Sequence, residues 1–411
     1  MAETPPTDRI KVETTQLSIG MYVVELDRPW TDTTYLFQGF RIRQQQDIRL
    51  LQEVCSYVWV DARQSVPVQA QVTANIAQPE KLQPAIAKVD FNLEMLQAAP
   101  AWSAARDESL RILQAVKLCQ ELDIAAVKAV IKDCVESILR NPAAMLWLAR
   151  IKNSDAYTAE HSLRVSILSI ALGKELGLPA YQLEQIGVCG MLHDIGKIKV
   201  PNEILNKPGA LTADELRIMQ SHAAEGRKLL MSNQQVTAAT VDVAYSHHER
   251  LDGRGYPRGL DASKIPYYAK LIAVVDSYDA INSDRIYSKG KSSLESLRIL
   301  MEAVNSHFDE EMVGCFVRLI GIYPPGEIVE LTNGEVGIII GCPPGNKLKP
   351  RVLRVLDAEK KPCKESIIDL ANMAKDARGK PYRIHEVHRS GAFGIDIEAY
   401  RSKGLIVPTH L

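Results

Sequence analysis

Histidine and aspartate residues cluster in one part of the chain. Five of the nine histidines fall between positions 161 and 248, each on a predicted helix or near the end of one. Two carboxylates accompany them: Asp194 directly follows a histidine, and Asp276 ends the apolar run 271–275. A lone histidine on a helix is usually a core or surface residue, so only the combination indicates a site. The candidate metal ligands are His161, His193, Asp194, His222, His247, His248 and Asp276.

Two short segments bring these residue types together. Residues 193–197 read HDIGK, in which the glycine permits close backbone approach and Lys197 follows the two ligand types. Residues 247–257 read HHERLDGRGYP, so that two imidazoles run into a Gly-rich loop that ends in proline. Imidazole and carboxylate without thiolate suit iron, manganese or another first-row divalent metal better than structural zinc. Seven candidate ligands exceed what one ion needs, whereas two ions that share a bridging carboxylate would use them all.

Helices must position these residues, because helical spacing dominates from about 104 to 320. The run 165–176 is followed by Gly177 and Pro179, which is typical of a helix end. The segment 212–215 reads TADE, a capping box that predicts the start of a helix carrying His222.

The flanking segments have different patterns. Residues 16–26 contain a Gly turn and a β-branched strand, 47–55 have helical spacing, and 57–60 form a second apolar run, which together predict a small α/β domain. The stretch 63–90 is rich in Gln, Ala and Pro and is interpreted as a linker. Beyond residue 326 two strand patterns flank Asn333-Gly334, which is typical of a two-residue hairpin, and 351–355 resembles a third strand.

The predicted fold is therefore mainly α. We expect a small N-terminal α/β domain over residues 1–65, which could be sensory or regulatory, and a linker over 66–100. An all-α domain over 101–322 carries the candidate ligands, and a small β-rich domain over 323–411 follows. A chain of 411 residues is long enough for two or three domains.

Composition excludes some classes of function. The net charge of −1 argues against a broad basic surface for DNA or RNA, although a small anionic ligand needs only a few local cations. Seven scattered cysteines without a CxxC pair indicate reduced thiols. The N-terminus is polar, and no apolar run approaches the roughly 18 residues of a membrane span. We therefore expect a cytoplasmic protein.

The two chemical segments resemble a known family. HDIGK at 193–197 and HHERLDGRGYP at 247–257 are similar to motifs of the HD-GYP family, a subgroup of the HD superfamily of metal-dependent phosphohydrolases. The resemblance runs from about 155 to 316 and includes KVPNEILNKPGALTADE at 199–215 and SDRIY at 283–287. GMYVVELDRPW at 20–30 resembles a domain of unknown function that is often fused ahead of bacterial HD-GYP domains.

This resemblance implies a function and a role for each matching residue. It implies that the protein hydrolyses the bacterial second messenger cyclic di-GMP to linear pGpG, and slowly to GMP, with two divalent ions, iron or manganese. One ion would be held by His161, His193, Asp194 and Asp276, and the other by Asp194, His222, His247 and His248. Lys197 and the bridging Asp194 would be catalytic, and the residues that bind the nucleotide would be Asp252, Gly255, Tyr256 and Arg285.

The sequence also departs from the family pattern. Some members have Glu four residues before the first histidine, where it supports a third metal, but this chain has Tyr157 there. Members often read RPYK where this chain has RIYS at 285–288, so the Lys contact is lost or is taken over by Lys289. The N-terminal segment has no receiver-like acidic cluster, so control by phosphorylation is not suggested.

Two alternatives stay open at this point. The chain could be an adaptor that binds cyclic di-GMP, turns it over negligibly and signals through a protein surface, although an adaptor has no need of seven metal-binding groups. It could also hydrolyse another cyclic dinucleotide. A homodimer and signalling protein partners are compatible with the sequence, which identifies neither.

Overall fold

The computed structural model describes residues 9–27, 40–42, 45–61, 89–150, 157–283, 290–342, 348–372, 375–376, 379–389 and 391–402. The chain forms two compact units. The first comprises Met1–Leu82 with Cys342–Pro350, and the second comprises Gln83–Gly341 with Arg351–Leu411.

The first unit contains a four-stranded antiparallel sheet in the order β1-β4-β2-β3. Its elements are β1 (Arg9–Glu13), β2 (Tyr22–Leu26), β3 (Phe40–Arg41), α1 (Gln45–Val54) and β4 (Tyr57–Asp61), with a 3-10 helix at Thr14–Gln16. Alternate residues of β2 and β4 are buried with Ile48 and Leu51 of the helix, which is why a short amphipathic helix covers one face of the sheet. The predicted α/β character of this segment is confirmed.

The second unit is mainly helical. Its helices are α2 (Phe91–Lys117), α3 (Ile124–Arg140), α4 (Pro142–Leu148), α5 (Tyr157–Glu175), α6 (Ala180–Leu192), α7 (Asn202–Leu205), α8 (Ala213–Gln220), α9 (His222–Met231), α10 (Ala238–Ser246), α11 (Tyr267–Asn282), α12 (Ser293–Glu302) and α13 (Glu310–Ile320). Every residue from 159 to 173 is buried, so α5 is surrounded by other helices, among them α2, α6, α11 and α13. Short 3-10 helices lie at Ile195–Lys199 and Ala262–Lys264. The expected mainly α fold is confirmed.

The structure differs from the sequence prediction at the linker. Residues 91–100, which the predicted linker of 66–100 included, form the first turns of α2. The side chain of Asp90 accepts a hydrogen bond from the backbone N–H of Asn92, and Phe91, Met95 and Ala98 are buried at helical spacing. The burial of these three residues therefore favours a helix more strongly than the Ala- and Pro-rich composition disfavours one. Residues 62–88 lie outside the described residues.

The helix that begins with the capping box also differs from the prediction. The side chain of Thr212 accepts a bond from the backbone N–H of Glu215, and the carboxylate of Glu215 accepts one from the backbone N–H of Thr212, as predicted. The helix nevertheless ends at Gln220, and His222 opens α9. The carbonyl of Met219 bonds to Nδ1 of His222 at 2.7 Å, so the junction between the two helices orients this imidazole.

A five-stranded antiparallel sheet in the order β8-β7-β6-β5-β9 follows the helices. Its strands are β5 (Ile328–Leu331), β6 (Val336–Gly341), β7 (Arg351–Leu356), β8 (Pro362–Asp369) and β9 (Ile384–His388), and a 3-10 helix (Ala392–Gly394) and α14 (Ile397–Ser402) end the described chain. A hairpin at Asn333-Gly334 is confirmed, with Gly334 at φ 87°, but its loop has three residues, 332–334, rather than the predicted two, because Leu331 pairs with Glu335. The guanidinium of Arg150 donates to the carbonyl of Pro325 at 2.6 Å, so the boundary predicted after residue 322 separates two kinds of secondary structure within one compact unit.

Among the helices that the structure describes, none is long and apolar enough to cross a membrane.

Candidate metal centre

Five helices of the second unit bring the predicted ligands together. His161 lies in the first turns of α5, and Asp276 lies in the middle of α11. His193 ends α6 and Asp194 follows it, whereas His222 begins α9 and the pair His247 and His248 follows α10. Helix ends and turns therefore supply most of the ligands, so the side chains can point to one place from several directions.

The ligands form two groups with one shared member. In each group one donor atom per residue lies within 4.8 Å of every other. One group comprises His161, His193, Asp194 and Asp276, and the other comprises Asp194, His222, His247 and His248. These are the two sets that the family resemblance implied.

The two oxygens of Asp194 face different groups. Oδ2 lies 3.6 Å from Nε2 of His161 and 3.2 Å from Nε2 of His193. Oδ1 lies 3.4 Å from Nε2 of His222 and 3.6 Å from Nε2 of His247. A carboxylate placed in this way has one lone-pair direction for each of two neighbouring cations.

Asp276 completes the first group from the opposite side. Its Oδ1 lies 3.1 Å from Nε2 of His161 and 3.7 Å from Nε2 of His193. Both imidazoles thus present the same ring nitrogen to the space between two carboxylates.

Hydrogen bonds at the far side of the rings fix their orientation. Nδ1 of His193 bonds to the carbonyl of Gly190 at 2.8 Å, and Nδ1 of His247 bonds to the carbonyl of Val243 at 3.1 Å. A carbonyl only accepts, so Nδ1 donates to it, and Nε2 is the nitrogen that can bind a metal.

Several inward-facing atoms are buried without a hydrogen-bond partner. They are Nε2 of His193, Nε2 of His222, Nε2 of His247 and Oδ1 of Asp194. Unpaired buried polar atoms are costly, and native proteins keep them where a function uses them. The residues present therefore fit metal ions, and the N and O donors fit first-row divalent metals.

The electrostatics of the first group favour a cation. Burial disfavours the charged form of Asp194, but Lys197 and His193 outweigh that effect and hold its pKa well below the usual range. Burial also opposes the ionisation of Asp276, whose pKa is nevertheless held well below the usual range by His161 and His193. Conversely, burial would lower the pKa of His193, but Asp194 raises it to about 9. The carboxylates thus stabilise positive charge in the space between them.

Two histidines of the second group have lowered pKa values. Burial lowers the pKa of His222 to about 4, and burial together with His247 holds the pKa of His248 well below its usual value. Both rings are therefore unprotonated at neutral pH and available to coordinate a metal.

Lys197 lies at the edge of this centre. It belongs to the 3-10 helix that follows Asp194, and its Nζ donates to Oδ2 of Asp194. The predicted position of a fixed positive charge beside Asp194 matches this geometry.

The Gly-rich loop covers the second group. The ring of Tyr256 stacks on His248, with centroids 4.6 Å apart and planes 29° apart. A β-carbon on Gly255 would lie 2.4 Å from the backbone nitrogen of Arg250, so the loop can close only with glycine there. The carboxylate of Asp252 accepts two bonds from the guanidinium of Arg250, at 3.0 and 2.6 Å. Both oxygens of Asp252 are therefore hydrogen-bonded within the loop itself.

One predicted contact cannot be placed. Arg285 lies in 284–289, outside the described residues, as does Lys289. The backbone of Tyr157 is described as the first residue of α5, but its side chain is not.

Sequence reasoning missed three residues. Asp279 bonds to Nδ1 of His161 at 2.7 Å, and Arg164 donates to the same carboxylate. Their spacing was a usable indication, because Asp279 is three residues after one ligand and Arg164 three residues after another. The buried Glu249 accepts bonds from the backbone N–H groups of Arg258 and Leu260 at 2.8 and 2.9 Å and so ties the loop to the histidine pair.

Comparisons with known proteins agree with this site. A family model of the HD domain matches residues 147–312, and a domain of unknown function, DUF3391, matches residues 9–137, well past the predicted linker. A cyclic di-GMP phosphodiesterase of Pseudomonas aeruginosa is 37% identical over 375 residues, which cover 90% of this chain and 90% of that protein.

Two further relatives each match less than half of this chain. A cyclic di-GMP phosphodiesterase of Thermotoga maritima is 39% identical over 166 residues, 40% of this chain and 45% of that protein. A 3'3'-cGAMP-specific phosphodiesterase of Vibrio cholerae is 36% identical over 178 residues, 43% of this chain and 41% of that protein.

Proposed function

Because the chain belongs to the HD-GYP family of cyclic di-GMP phosphodiesterases, we propose that its buried histidine and aspartate cluster holds two divalent metal ions and cuts cyclic di-GMP to linear pGpG. The hydrolysis of cyclic di-GMP is the activity of the protein. The proposal adds the metal count, the residues that hold the metals and the product.

One observation carries the proposed metal pair. Oδ2 of Asp194 faces His161 and His193, and Oδ1 faces His222 and His247, at 3.2 to 3.6 Å. Distances of this size leave room for cations between the donor atoms, since metal–ligand bonds of about 2.0–2.2 Å join each donor to an ion rather than to each other. A single ion would leave one side of the cluster, with its buried unpaired nitrogens, unused.

The donor set supports iron or manganese as the bound metals. Each group consists of imidazole nitrogens and carboxylate oxygens, and no thiolate takes part. When bound, two such ions lower the pKa of a shared water, orient it in line with the phosphodiester and neutralise the charge that develops.

Lys197 and the oriented imidazoles would support the reaction in different ways. Lys197 places a fixed positive charge next to Asp194, where the charge of the reacting phosphate would develop. The imidazoles keep their Nε2 lone pairs directed inward because backbone carbonyls hold Nδ1 of His193, His222 and His247. These imidazoles therefore do not have to turn before the reaction can begin.

The loop 252–257 is the proposed nucleotide-binding edge. Tyr256 lies over His248 and can present its exposed edge to a base, Gly255 permits the close turn, and Asp252 holds the loop through Arg250. Arg285 is proposed as a bidentate partner for a phosphate or guanine of the ligand. We also propose a cytoplasmic location, in keeping with the seven cysteines, none of which forms a disulfide: Cys55, Cys119, Cys134, Cys189, Cys315, Cys342 and Cys363.

A different cyclic dinucleotide is the second candidate substrate. The relative from Vibrio cholerae is specific for 3'3'-cGAMP by name and is 36% identical to this chain, close to the 39% of the Thermotoga maritima enzyme over a similar length. Each of these comparisons covers less than half of this chain. Identity in the matched parts therefore does not separate the two substrates, whereas the match over 90% of the chain favours cyclic di-GMP.

Metal analysis and turnover assays test the proposal together. The full chain is purified without oxygen, its metals are counted by elemental analysis, and its initial rates with cyclic di-GMP and 3'3'-cGAMP are compared. We expect two ions per chain, faster turnover of cyclic di-GMP, and loss of turnover after chelation. A fully active protein with one ion or none would overturn the metal pair, and negligible turnover with tight cyclic di-GMP binding would favour the adaptor.

A further inference from the structure

A buried ion pair lies directly behind one ligand of the metal centre. Nδ1 of His161 bonds to Oδ2 of Asp279 at 2.7 Å. The guanidinium of Arg164 donates to both oxygens of the same carboxylate, at 2.7 and 2.9 Å. All three side chains are almost fully buried, with 3 to 4% of each residue exposed.

Two further groups keep this ion pair in place. Nη1 of Arg164 lies 3.6 Å from the buried carboxylate of Glu160, and its Nη2 donates to the hydroxyl of Ser283 at 3.3 Å. The guanidinium is therefore held on several sides, and the carboxylate of Asp279 cannot turn away from His161 without breaking a bidentate contact.

Three of the other four ligand imidazoles have a different support. Nδ1 of His193, His222 and His247 bonds to a backbone carbonyl, at 2.8, 2.7 and 3.1 Å. A carbonyl is a neutral acceptor, whereas the carboxylate of Asp279 is anionic. The guanidinium of Arg164 donates to both of its oxygens, which is the bidentate pairing typical of an ionised carboxylate. The group facing His161 is thus an anion rather than a neutral acceptor.

An anionic acceptor changes what an imidazole does as a ligand. A carboxylate bonded to Nδ1–H increases the electron density at Nε2 and strengthens its bond to a metal, and loss of such a partner commonly weakens metal affinity by about 10- to 100-fold. The first group also contains two carboxylates, Asp194 and Asp276, whereas the second contains only Asp194, which both groups share.

We propose that Asp279, clamped by Arg164, is a positioning residue that makes the subsite of His161, His193, Asp194 and Asp276 the tighter of the two metal subsites. This inference rests on the proposed metal pair. The subsite around His161 fills first, and the subsite around His248 fills second and empties first. Asp279 contacts neither the substrate nor a metal and acts only through His161.

The competing explanation is purely structural. Arg164 and Asp279 join α5 to α11, so the pair could serve only to hold two helices together. Loss of the pair would then reduce stability and would weaken both subsites equally or neither of them. The two explanations differ in which subsite responds.

The test measures Mn²⁺ affinity by chelator competition in the full chain, with Asp279→Asn introduced into two backgrounds. In His248→Ala the second subsite is disabled, and in Asp276→Ala the first is disabled. The isosteric amide can accept from His161 but carries no charge. We expect Asp279→Asn to weaken Mn²⁺ binding about 10- to 100-fold in the His248→Ala background and to have little effect in the Asp276→Ala background.

Electron paramagnetic resonance adds a readout that does not depend on activity. At two equivalents of Mn²⁺ the wild type should show the broad spectrum of two coupled ions. Asp279→Asn at the same Mn²⁺ concentration should show more of the sharp spectrum of isolated Mn²⁺. Arg164→Lys keeps a charge but loses the bidentate contact, so it should lie between the two, and it replaces Asp279→Asn if that variant fails to fold.

A second buried carboxylate offers a matched control. Glu94 is 1% exposed and accepts two bonds from Arg140, at 2.8 and 2.9 Å, between α2 and α3, although Arg140 is more exposed than Arg164. Glu94→Gln should lower thermal stability and leave Mn²⁺ affinity unchanged. Equal loss of Mn²⁺ affinity in both backgrounds, no loss in either, or a similar loss in Glu94→Gln would overturn the role of Asp279. A wild type that binds no pair of Mn²⁺ ions would instead overturn the proposed metal centre itself.

Discussion

The backbone of Gly196 lies against the carbonyl oxygen of His222. A β-carbon on Gly196 would stand 1.9 Å from that oxygen and 2.5 Å from the backbone nitrogen of Gly226. This contact brings the 3-10 helix after Asp194 onto the first turn of α9, and so holds Asp194 next to His222 of the second group. HDIGK is therefore a packing motif as well as a set of ligands.

Gly196→Ala should disrupt the centre. The atoms in the way are backbone atoms that cannot rotate aside, so we expect a loss of about 1–3 kcal/mol in the free energy of unfolding and reduced metal content. Gly226→Ala is the control, since its β-carbon would meet nothing closer than 3.4 Å and alanine favours a helix interior by about 1 kcal/mol. Denaturant unfolding and elemental analysis compare the two variants, and equal behaviour would contradict the packing argument.

Asp194→Ala should weaken both metal subsites at once. Its two oxygens face different groups of imidazoles, so removing them takes a ligand from each. We expect metal content to fall at both positions and turnover to vanish, while circular dichroism still shows a folded helical domain. Asp214→Ala, at an 80% exposed side chain, is the control. Full metal occupancy in Asp194→Ala would rule out the bridge.

Lys197→Ala should lower kcat more than it raises KM. A charge that acts on the reacting phosphate contributes mainly in the transition state, so we expect kcat to fall by about 10²–10³-fold with a modest change in metal content. Lys199→Ala is the matched control, because this exposed lysine lies two residues further along the same 3-10 helix. A kcat like that of the wild type would leave Lys197 as a structural or solvated residue.

Tyr256→Ala should weaken nucleotide binding and leave the metals in place. The ring that is lost stacks on His248 and does not separate the metal-binding atoms. An aromatic contact of this kind is worth about 0.5–1.5 kcal/mol, so KM should rise roughly 2- to 12-fold. Tyr256→Phe keeps the stacked ring and should retain most of the affinity. If KM is unchanged in Tyr256→Ala, the loop does not form the nucleotide pocket.

The time course should show accumulation of pGpG. Tyr157 lies one helical turn before His161, where a Glu could reach a third metal, and a phenol with a pKa of about 10 is a poor ligand for a hard cation. Second cleavage of pGpG must hold an extra terminal phosphate, so we expect slow conversion to GMP. Chromatography of the reaction decides: rapid and complete GMP formation by the wild type contradicts the prediction. Tyr157→Glu should bind additional metal and release GMP faster.

Local pattern in the sequence was sufficient for much of the architecture. The capping box at 212–215 and the Asn333-Gly334 turn both predicted elements that the structure contains, because each depends on hydrogen bonds between residues a few positions apart. The types and spacing of the candidate ligands in the sequence also indicated a metal centre. Where local composition competed with burial, as at 91–100, the prediction was wrong.

Only the tertiary structure decided what lies behind the ligands. His161 and Asp279 are 118 residues apart, and the packing of α5 against α11 brings them within 2.7 Å of each other. The helices around Asp194 likewise determine that its Oδ2 faces His161 and His193 and its Oδ1 faces His222 and His247. Contacts of this kind depend on the crossing of helices that are far apart in the chain, and the period of a single helix carries no information about its partner. The sequence by itself therefore determined the chemistry of the site. The tertiary structure determined that a carboxylate supports His161, whereas backbone carbonyls support His193, His222 and His247.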